Sequence, residues 1–309
     1  MGLGLFGGGA GVAAFLARHG ALVTVTDLRP ASQLAESIQA LSSSTLTLHL
    51  GGHDLSDFTD TDIVVVNPAV PLDSPFLESA RKAGVRLESE INVFFSLCPS
   101  RVVGVTGSNG KTTTTVLIGE MLKAAGRKVW VGGNLGKSLL DCVENIRRDD
   151  VVVLELSSFQ LDMLDWVRTS PYTGVATNIC PNHLDRHGSM GAYVSAKRKL
   201  FAFQQPDDLA ILNFDDKEVS GWRKDIASRV SFFSRKERVP DGAFAADGRL
   251  CLGSKGKSTD VCAASDALIP GWFNTENILA AMCAAAEHGA KPAHIAQIVR
   301  EFKGVEHRL

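Results

Sequence analysis

Apolar runs of five to seven residues alternate along this chain with stretches of 3.6-residue periodicity, and the alternation predicts the fold class. Residues 10–20 (AGVAAFLARHG) read as a helix and 21–27 (ALVTVTD) as a strand. A strand follows at Thr45–Leu50, and a buried one at Asp62–Val66 leads into Asn67-Pro68-Ala69. Then come a helix at Pro75–Ala83 and a strand at Val85–Glu88. Arg101–Val105 reads as a strand, and Val116, Leu117, Met121 and Leu122 place a helix after Lys111. Further strands are expected at Lys128–Gly132, Asp150–Leu156 (DVVVLEL) and Tyr172–Asn178, with a helical stretch at 190–203. Beyond it lie strands Leu209–Asn213 and Val230–Phe233, an edge hairpin at Asp241–Ser254, an Asn-capped helix within Gly271–Gly289, and a helix from Pro292 to about Phe302. Such alternation predicts an α/β chain with mainly parallel sheet and ligands at the carboxyl ends of its strands. With 309 residues, two domains are expected. These are a Rossmann-like N-terminal domain over residues 1–97 and a P-loop ATPase-type central domain over 98–303, with 304–309 as a linker.

Chemistry enters at 101–115, RVVGVTGSNGKTTTT. A strand, a glycine-punctuated loop, Lys-Thr and a helix form the phosphate cradle of nucleotide enzymes. Loop N–H groups and the helix N-terminus face an anion, Lys111 reaches the β- and γ-phosphates, and the Thr112 hydroxyl holds Mg²⁺. Gly104 stands one residue too early for the strict pattern, so the usable motif is Gly107-x-x-Gly110-Lys111-Thr112. Glu155, near the carboxyl end of a buried strand, stands where a metal-binding carboxylate belongs in such a fold. His183 and His187 are spaced i, i+4 in NICPNHLDRHG (178–188). A loop setting without a third soft ligand favours a Mg²⁺ or phosphate role over zinc, and an inert loop histidine is the plain alternative.

Near the start, Gly2-x-Gly4-x-x-Gly7 is followed by a helix, a strand and, 20 residues after Gly7, Asp27. That is the layout of a pyrophosphate site with a ribose-binding acid, although the strand that should precede the glycines is missing. A tight βα turn that binds nothing is the alternative. In MGAYVSAKRKLFAF (190–203), Tyr193, Ala196, Lys197, Leu200 and Phe201 share one helical arc, while Arg198 and Lys199 point away. Lys197 thus lies in the middle of the apolar face. Either its ammonium snorkels out, or it is a desolvated amine of lowered pKa, able to take up CO₂ as a carbamate.

Composition narrows the partners. A net charge of −2 and 21% charged residues give no basic excess for nucleic acid, and no apolar run is long enough to span a bilayer. The six cysteines lack C-x-x-C spacing, which fits a reducing compartment. The apolar opening lacks the basic region of a signal peptide, and residue 6 is not the Ser/Thr of a myristoylation signal. A cytoplasmic protein is expected.

Taken together, GVTGSNGKTTT (104–114), GGNLG (132–136), ELSSFQL (155–161), NHLDRHGSM (182–190), YVSAK (193–197), FNTENILAA (273–281) and EHRL (306–309) resemble the Mur ligases across essentially the whole chain. ELSSFQL and NHLDRHGSM point to the type that acts on D-glutamate. The resemblance implies ATP-driven addition of D-glutamate to UDP-N-acetylmuramoyl-L-alanine through an acyl phosphate, by a monomer using ATP and two Mg²⁺ ions. It implies that Gly107, Ser108, Asn109, Gly110, Lys111, Thr112 and Thr113 bind ATP, with Asn274 and Arg308 near its base and phosphates. Thr112, Glu155, His183 and a carbamylated Lys197 would be metal ligands. Leu5, Phe6, Asp27 and Arg29 would hold the UDP moiety and Asn134 the sugar. Asn182 stands where many members carry aspartate. The family's third domain, which brings in the amino acid, has no counterpart, so the chain is expected to bind ATP and UDP-sugar without full competence. Rival readings are another Mur-type or a folylpolyglutamate-type ligase, a nicotinamide dehydrogenase explaining only residues 1–30, and a non-catalytic nucleotide-binding remnant.

Overall fold

The computed structural model describes residues 1–5, 7–41, 46–135 and 138–305. Phe6 and Arg308 lie outside the described residues. The chain forms two compact units. The first comprises 1–98 with 132–146 and 163–168; the second comprises 99–131, 147–162 and 169–309. The two short segments of the first unit depart from a single boundary near residue 97.

In the first unit, β1 (Thr24–Asp27) pairs in parallel with β2 (Thr47–Leu50), and β3 (Ile63–Val65) with β4 (Arg86–Glu88). Among the described residues no strand is assigned ahead of the glycines, but residues 1 and 2 make backbone hydrogen bonds to the neighbouring strands. The Met1 nitrogen donates to Val65 O (2.8 Å), Asn67 N donates to Met1 O (3.0 Å), and Gly2 N donates to Thr26 O (2.8 Å). These residues therefore hydrogen-bond to β1, to β3 and to Asn67 just past β3. Glu90–Leu97, between β4 and the next strand, is a helix capped by Ser89, whose Oγ accepts from Asn92 N. Its short apolar run had no period long enough to tell helix from strand.

The second unit is built on a nine-stranded sheet. Its strands are β5 (Arg101–Thr106), β6 (Val129–Gly133), β7 (Val151–Glu155), β8 (Thr173–Ala176), β9 (Leu209–Asn213), β10 (Arg229–Ser234), β11 (Gly242–Ala246), β12 (Arg249–Ser254) and β13 (Lys257–Ala263). They lie in the order β13-β12-β11-β10-β9-β8-β5-β7-β6. Pairs from β7 through β11 are parallel, and β11–β12–β13 form an antiparallel edge, so the expected hairpin is extended by one strand. The strands β7, β8 and β9 are buried at every residue, as a sheet covered on both faces requires. Because β5 lies between β7 and β8, the chain switches sides there, and the carboxyl end of β5 is a topological switch point.

Helices Lys111–Ala124, Trp272–Glu287 and Pro292–Glu301 share one core with the sheet, joining Leu117, Ile118, Met121 and Leu122 to Val103, Val153, Ile278, Leu279 and Ile295. Each such side chain contributes about 1.5–3 kcal/mol on burial. The helix Trp272–Glu287 is not Asn-capped: Gly271 is its N-cap, and Asn274 sits inside it with Nδ2 donating to Pro270 O (2.7 Å).

His288, just past this helix, lies with Nε2 3.0 Å from Thr173 Oγ1 and its ring edge-on to Tyr172. Burial lowers its pKa to about 4. The folded imidazole stays neutral while the unfolded one, near 6.5, takes a proton, so stability held above pH 6.5 is lost as pH falls towards 4. The gap corresponds to about 3 kcal/mol. Denaturant titrations across that window should show a shallower acid loss for His288→Gln than for the parent.

Candidate nucleotide and phosphate site

At the carboxyl end of β5 the chain turns through Gly107–Gly110 into the helix Lys111–Ala124. Gly107 (φ 147°) and Gly110 (φ 80°) adopt backbone that side chains disfavour. An added Cβ would meet Thr177 Oγ1 at 1.9 Å from the first and Asn277 Oδ1 at 2.1 Å from the second. The cradle therefore closes only around glycine.

Two side chains of the loop are tied to the segment after β8. Ser108 Oγ accepts from Cys180 N (2.9 Å), donates to Cys180 O (2.9 Å) and lies 3.0 Å from the Tyr193 hydroxyl. Asn109 Nδ2 lies 3.2 Å from Cys180 Sγ. Ser108 N donates to Asn178 O and Asn109 N to Asn178 Oδ1, while Thr177 Oγ1 donates to Asn109 O (2.6 Å). Those two amides are thus occupied by Asn178, which concentrates anion-facing capacity at the helix N-terminus, Gly110 to Thr113. Lys111 folds back: its Nζ donates to Gly107 O (2.9 Å) and Ser108 O (3.0 Å).

Thr112 Oγ1 donates to Glu155 Oε2 at 2.5 Å, and both residues are buried. This hydroxyl–carboxylate pair supplies hard oxygen donors of the kind Mg²⁺ takes alongside phosphate oxygens, and with the glycine cradle it fits a phosphate-bound cation. Among the described residues no set of three His, Cys, Asp or Glu side chains could hold a metal ion. A cation here would need the Thr112 hydroxyl and oxygens brought by a ligand.

Lys197 is 2% exposed. Its Nζ donates to Gly107 O (2.8 Å), lies 3.4 Å from Thr106 Oγ1, and stands 4.8 Å from the centre of the Tyr193 ring. The ammonium does not snorkel out; it turns inward to the loop. Desolvation, reinforced by the neighbouring Lys111 charge, lowers its pKa to about 7. Tyr193, Ala196, Leu200 and Phe201 are all buried with it, although residues 199–201 turn 3₁₀. Lys199 is less solvated than its helical position suggests, since it pairs with Asp162 at 3.0 Å.

His183 is exposed, has φ 51° and caps the short helix Leu184–His187, with its ring edge against Phe159 at 5.2 Å. His187 stacks on Phe159 at 5.1 Å and meets Ser158 Oγ at 2.9 Å. Burial lowers its pKa, so it is a packing histidine. Among the described residues Asn274 reaches the loop through Asn277: Asn277 Nδ2 donates to Asn274 Oδ1 (3.1 Å), and Thr114 Oγ1 donates to Asn277 Oδ1 (3.4 Å). Sequence reasoning gave Asn277 and Asn178 no part in the site, and set Tyr193 on the arc of Lys197 without its contact to Ser108. An asparagine three residues after Asn274, on the buried face of an alanine-rich helix, was the available signal.

In the first unit Asp27 is buried and accepts from Gly4 N (3.2 Å) and Arg29 N (2.9 Å), with Arg29 Nη1 3.8 Å away. It joins the glycine turn to the end of β1. Leu5, next to Gly4 in sequence, is 52% exposed, and Asn134 is exposed in the turn after Gly133.

Mur ligase middle domain matches residues 105–285, and Mur ligase MurD-like, N-terminal domain, matches residues 1–89. A UDP-N-acetylmuramoylalanine--D-glutamate ligase from Symbiobacterium thermophilum is 41% identical over 297 residues, 96% of this chain and 65% of the relative. One from Acidobacterium capsulatum is 41% identical over 99% of this chain and 67% of its own length. The chain thus spans about two thirds of the curated relatives it matches. Among solved structures, the UDP-N-acetylmuramate:L-alanyl-gamma-D-glutamyl-meso-diaminopimelate ligase from Neisseria meningitides aligns with a TM-score of 0.65 at 21% identity, covering 96% of this chain and 95% of that one. The UDP-N-acetylmuramate-alanine ligase from Thermotoga maritima gives 0.58 at 22%, covering 98% and 68%. Both share the fold. No helix among the described residues is long and apolar enough to cross a membrane.

Proposed function

Because this chain belongs to the Mur ligase family, we propose that it handles ATP and UDP-N-acetylmuramoyl-L-alanine in the cytoplasmic, ATP-driven formation of an amide to D-glutamate. The observation that carries this reading is the convergence of Lys111, the Thr112–Glu155 pair and the buried Lys197 on one glycine cradle at a topological switch point.

Lys111 releases its two loop carbonyls and donates to the β- and γ-phosphates. The carboxylate of the L-alanyl group attacks the γ-phosphorus, ADP leaves, and an acyl phosphate forms. The D-glutamate amine then attacks the acyl carbon, phosphate departs, and the nitrogen loses a proton. The Gly110–Thr113 amides cradle the transferring group, where fixed donors act without reorganisation. Thr112 and Glu155 would hold one Mg²⁺, and His183 with a carbamylated Lys197 a second. Bound there, the ions offset charge on the transferring phosphoryl group. At neutral pH a large share of Lys197 is unprotonated, and that amine adds to CO₂, forming an N–C bond and releasing one proton to give the carbamate. Leu5, Asp27 and Arg29 would face the UDP moiety and Asn134 the sugar; Asn277 with Asn274 would flank the ATP base. The protein is read as a monomer without nucleic-acid or membrane partners.

Calorimetric titration with ATP plus Mg²⁺, and separately with UDP-N-acetylmuramoyl-L-alanine, tests the reading directly. Saturable binding of both is expected, and failure to bind either one would overturn it.

A further inference from the structure

Residues 132–146 belong to the first unit, and one part-buried contact helps to hold them there. After β6 ends, the turn carrying Asn134 is closed at its base by packing of the Leu139 side chain against Gly132, where an added Cβ would stand 2.5 Å from Leu139 Cγ. Ser138, four residues after Asn134, does three things. Its Oγ accepts from Leu140 N (3.2 Å), starting the 3₁₀ helix Leu139–Asn145. The same Oγ donates to Glu90 Oε1 at 2.6 Å. Its Cβ lies against Gly11, where an added Cβ would approach to 2.8 Å, in the helix Gly8–Arg18 that follows the glycine turn.

The remaining ties lie farther along the same helix. Arg18 pairs with Asp141 (3.1 Å) and His19 with Glu144 (3.0 Å), both exposed and so individually weak. Glu90 differs from them. It is half-buried, desolvation raises its pKa, and its carboxyl faces Ser138 and not its own helix N-terminus. A desolvated acid bonded to one hydroxyl has a fixed direction that surface pairs lack.

We propose that Glu90, acting through Ser138, is a positioning residue that anchors the segment after Asn134 against the helix Gly8–Arg18 and so sets recognition of the sugar portion of the UDP-linked substrate. The inference rests on the reading of Asn134 as a sugar contact. The sugar would sense the tie, whereas the UDP moiety, held from the Leu5, Asp27 and Arg29 side, would not.

The test compares UDP with UDP-N-acetylmuramoyl-L-alanine by calorimetry in the parent, Glu90→Leu, Glu90→Gln, Ser138→Ala and Ser138→Thr proteins. Glu90→Leu and Ser138→Ala should weaken binding of the sugar nucleotide by about tenfold, one hydrogen bond's worth, with UDP affinity unchanged. Glu90→Gln and Ser138→Thr keep an acceptor and a donor and should recover most of the loss. Equal weakening for UDP and the sugar nucleotide, or no weakening in Ser138→Ala, would overturn the positioning role while leaving the ligase reading intact. A parent protein that binds UDP but gains nothing from the sugar would overturn the Asn134 assignment and this inference with it.

Discussion

Replacing Lys111 by alanine should weaken binding of ATP with Mg²⁺ by about 10–100-fold, the worth of a charge-assisted hydrogen bond to phosphate. Phosphoryl transfer should fall further, by about 10²–10³, since this cation acts most strongly on charge that develops in the transition state. The fold should persist. In the free protein Lys111 Nζ donates to Gly107 O and Ser108 O, and Gly107 O keeps Lys197 as a second donor after the change. Calorimetry with parallel thermal denaturation checks both halves. ATP affinity that stays at the parental value would remove Lys111 from the phosphate site.

At Lys197, stability and activity should move in opposite directions. Lys197→Met places an apolar chain of similar length among Tyr193, Ala196, Leu200 and Phe201, and should stabilise the fold at or below pH 7 by about 1–4 kcal/mol. Activity should be lost. The folded pKa, about 7, lies below the usual 10.5, so the parent's stability rises with pH between these values as the unfolded chain alone still binds the proton. The advantage of the methionine variant should therefore shrink from pH 7 towards pH 10. In an active form of the enzyme, Lys197→Ala should recover part of its rate with acetate or another short carboxylate. Full activity of either variant without additive would show the lysine to be structural only.

Legibility followed sequence distance. The phosphate loop could be read because its glycines, Lys111 and Thr112 are contiguous, and the chemistry demands that spacing. Lys197 could be read because a helix repeats every 3.6 residues, so one charged residue on an apolar arc stands out. Glu155 followed from its place at the end of a wholly apolar strand. The partners that hold the loop could not be read. Asn178 and Tyr193 meet it from 69 and 85 residues away, and Asn277 meets Thr114 across 163. No local pattern encodes pairings that only the sheet order creates. The excursion of 132–146 into the first unit was invisible for the same reason, because its apolar Leu139, Leu140 and Val143 suit either core. Lys199 was misplaced because helical geometry ended one residue earlier, at Arg198.

Gly107 O receives two amines, Lys197 Nζ at 2.8 Å and Lys111 Nζ at 2.9 Å, and this shared acceptor makes the two ligands of the proposed reaction interdependent. On the proposed reading, ATP would draw one amine away, and CO₂ would turn the other from donor to anion. These changes close a thermodynamic cycle. Whatever factor saturating CO₂ applies to ATP affinity, saturating ATP must apply to carbamate formation. Dissolved bicarbonate would then act on the enzyme as an effector whose strength can be read at either end, by nucleotide titration or by ¹³C labelling of Lys197, and the two factors must agree.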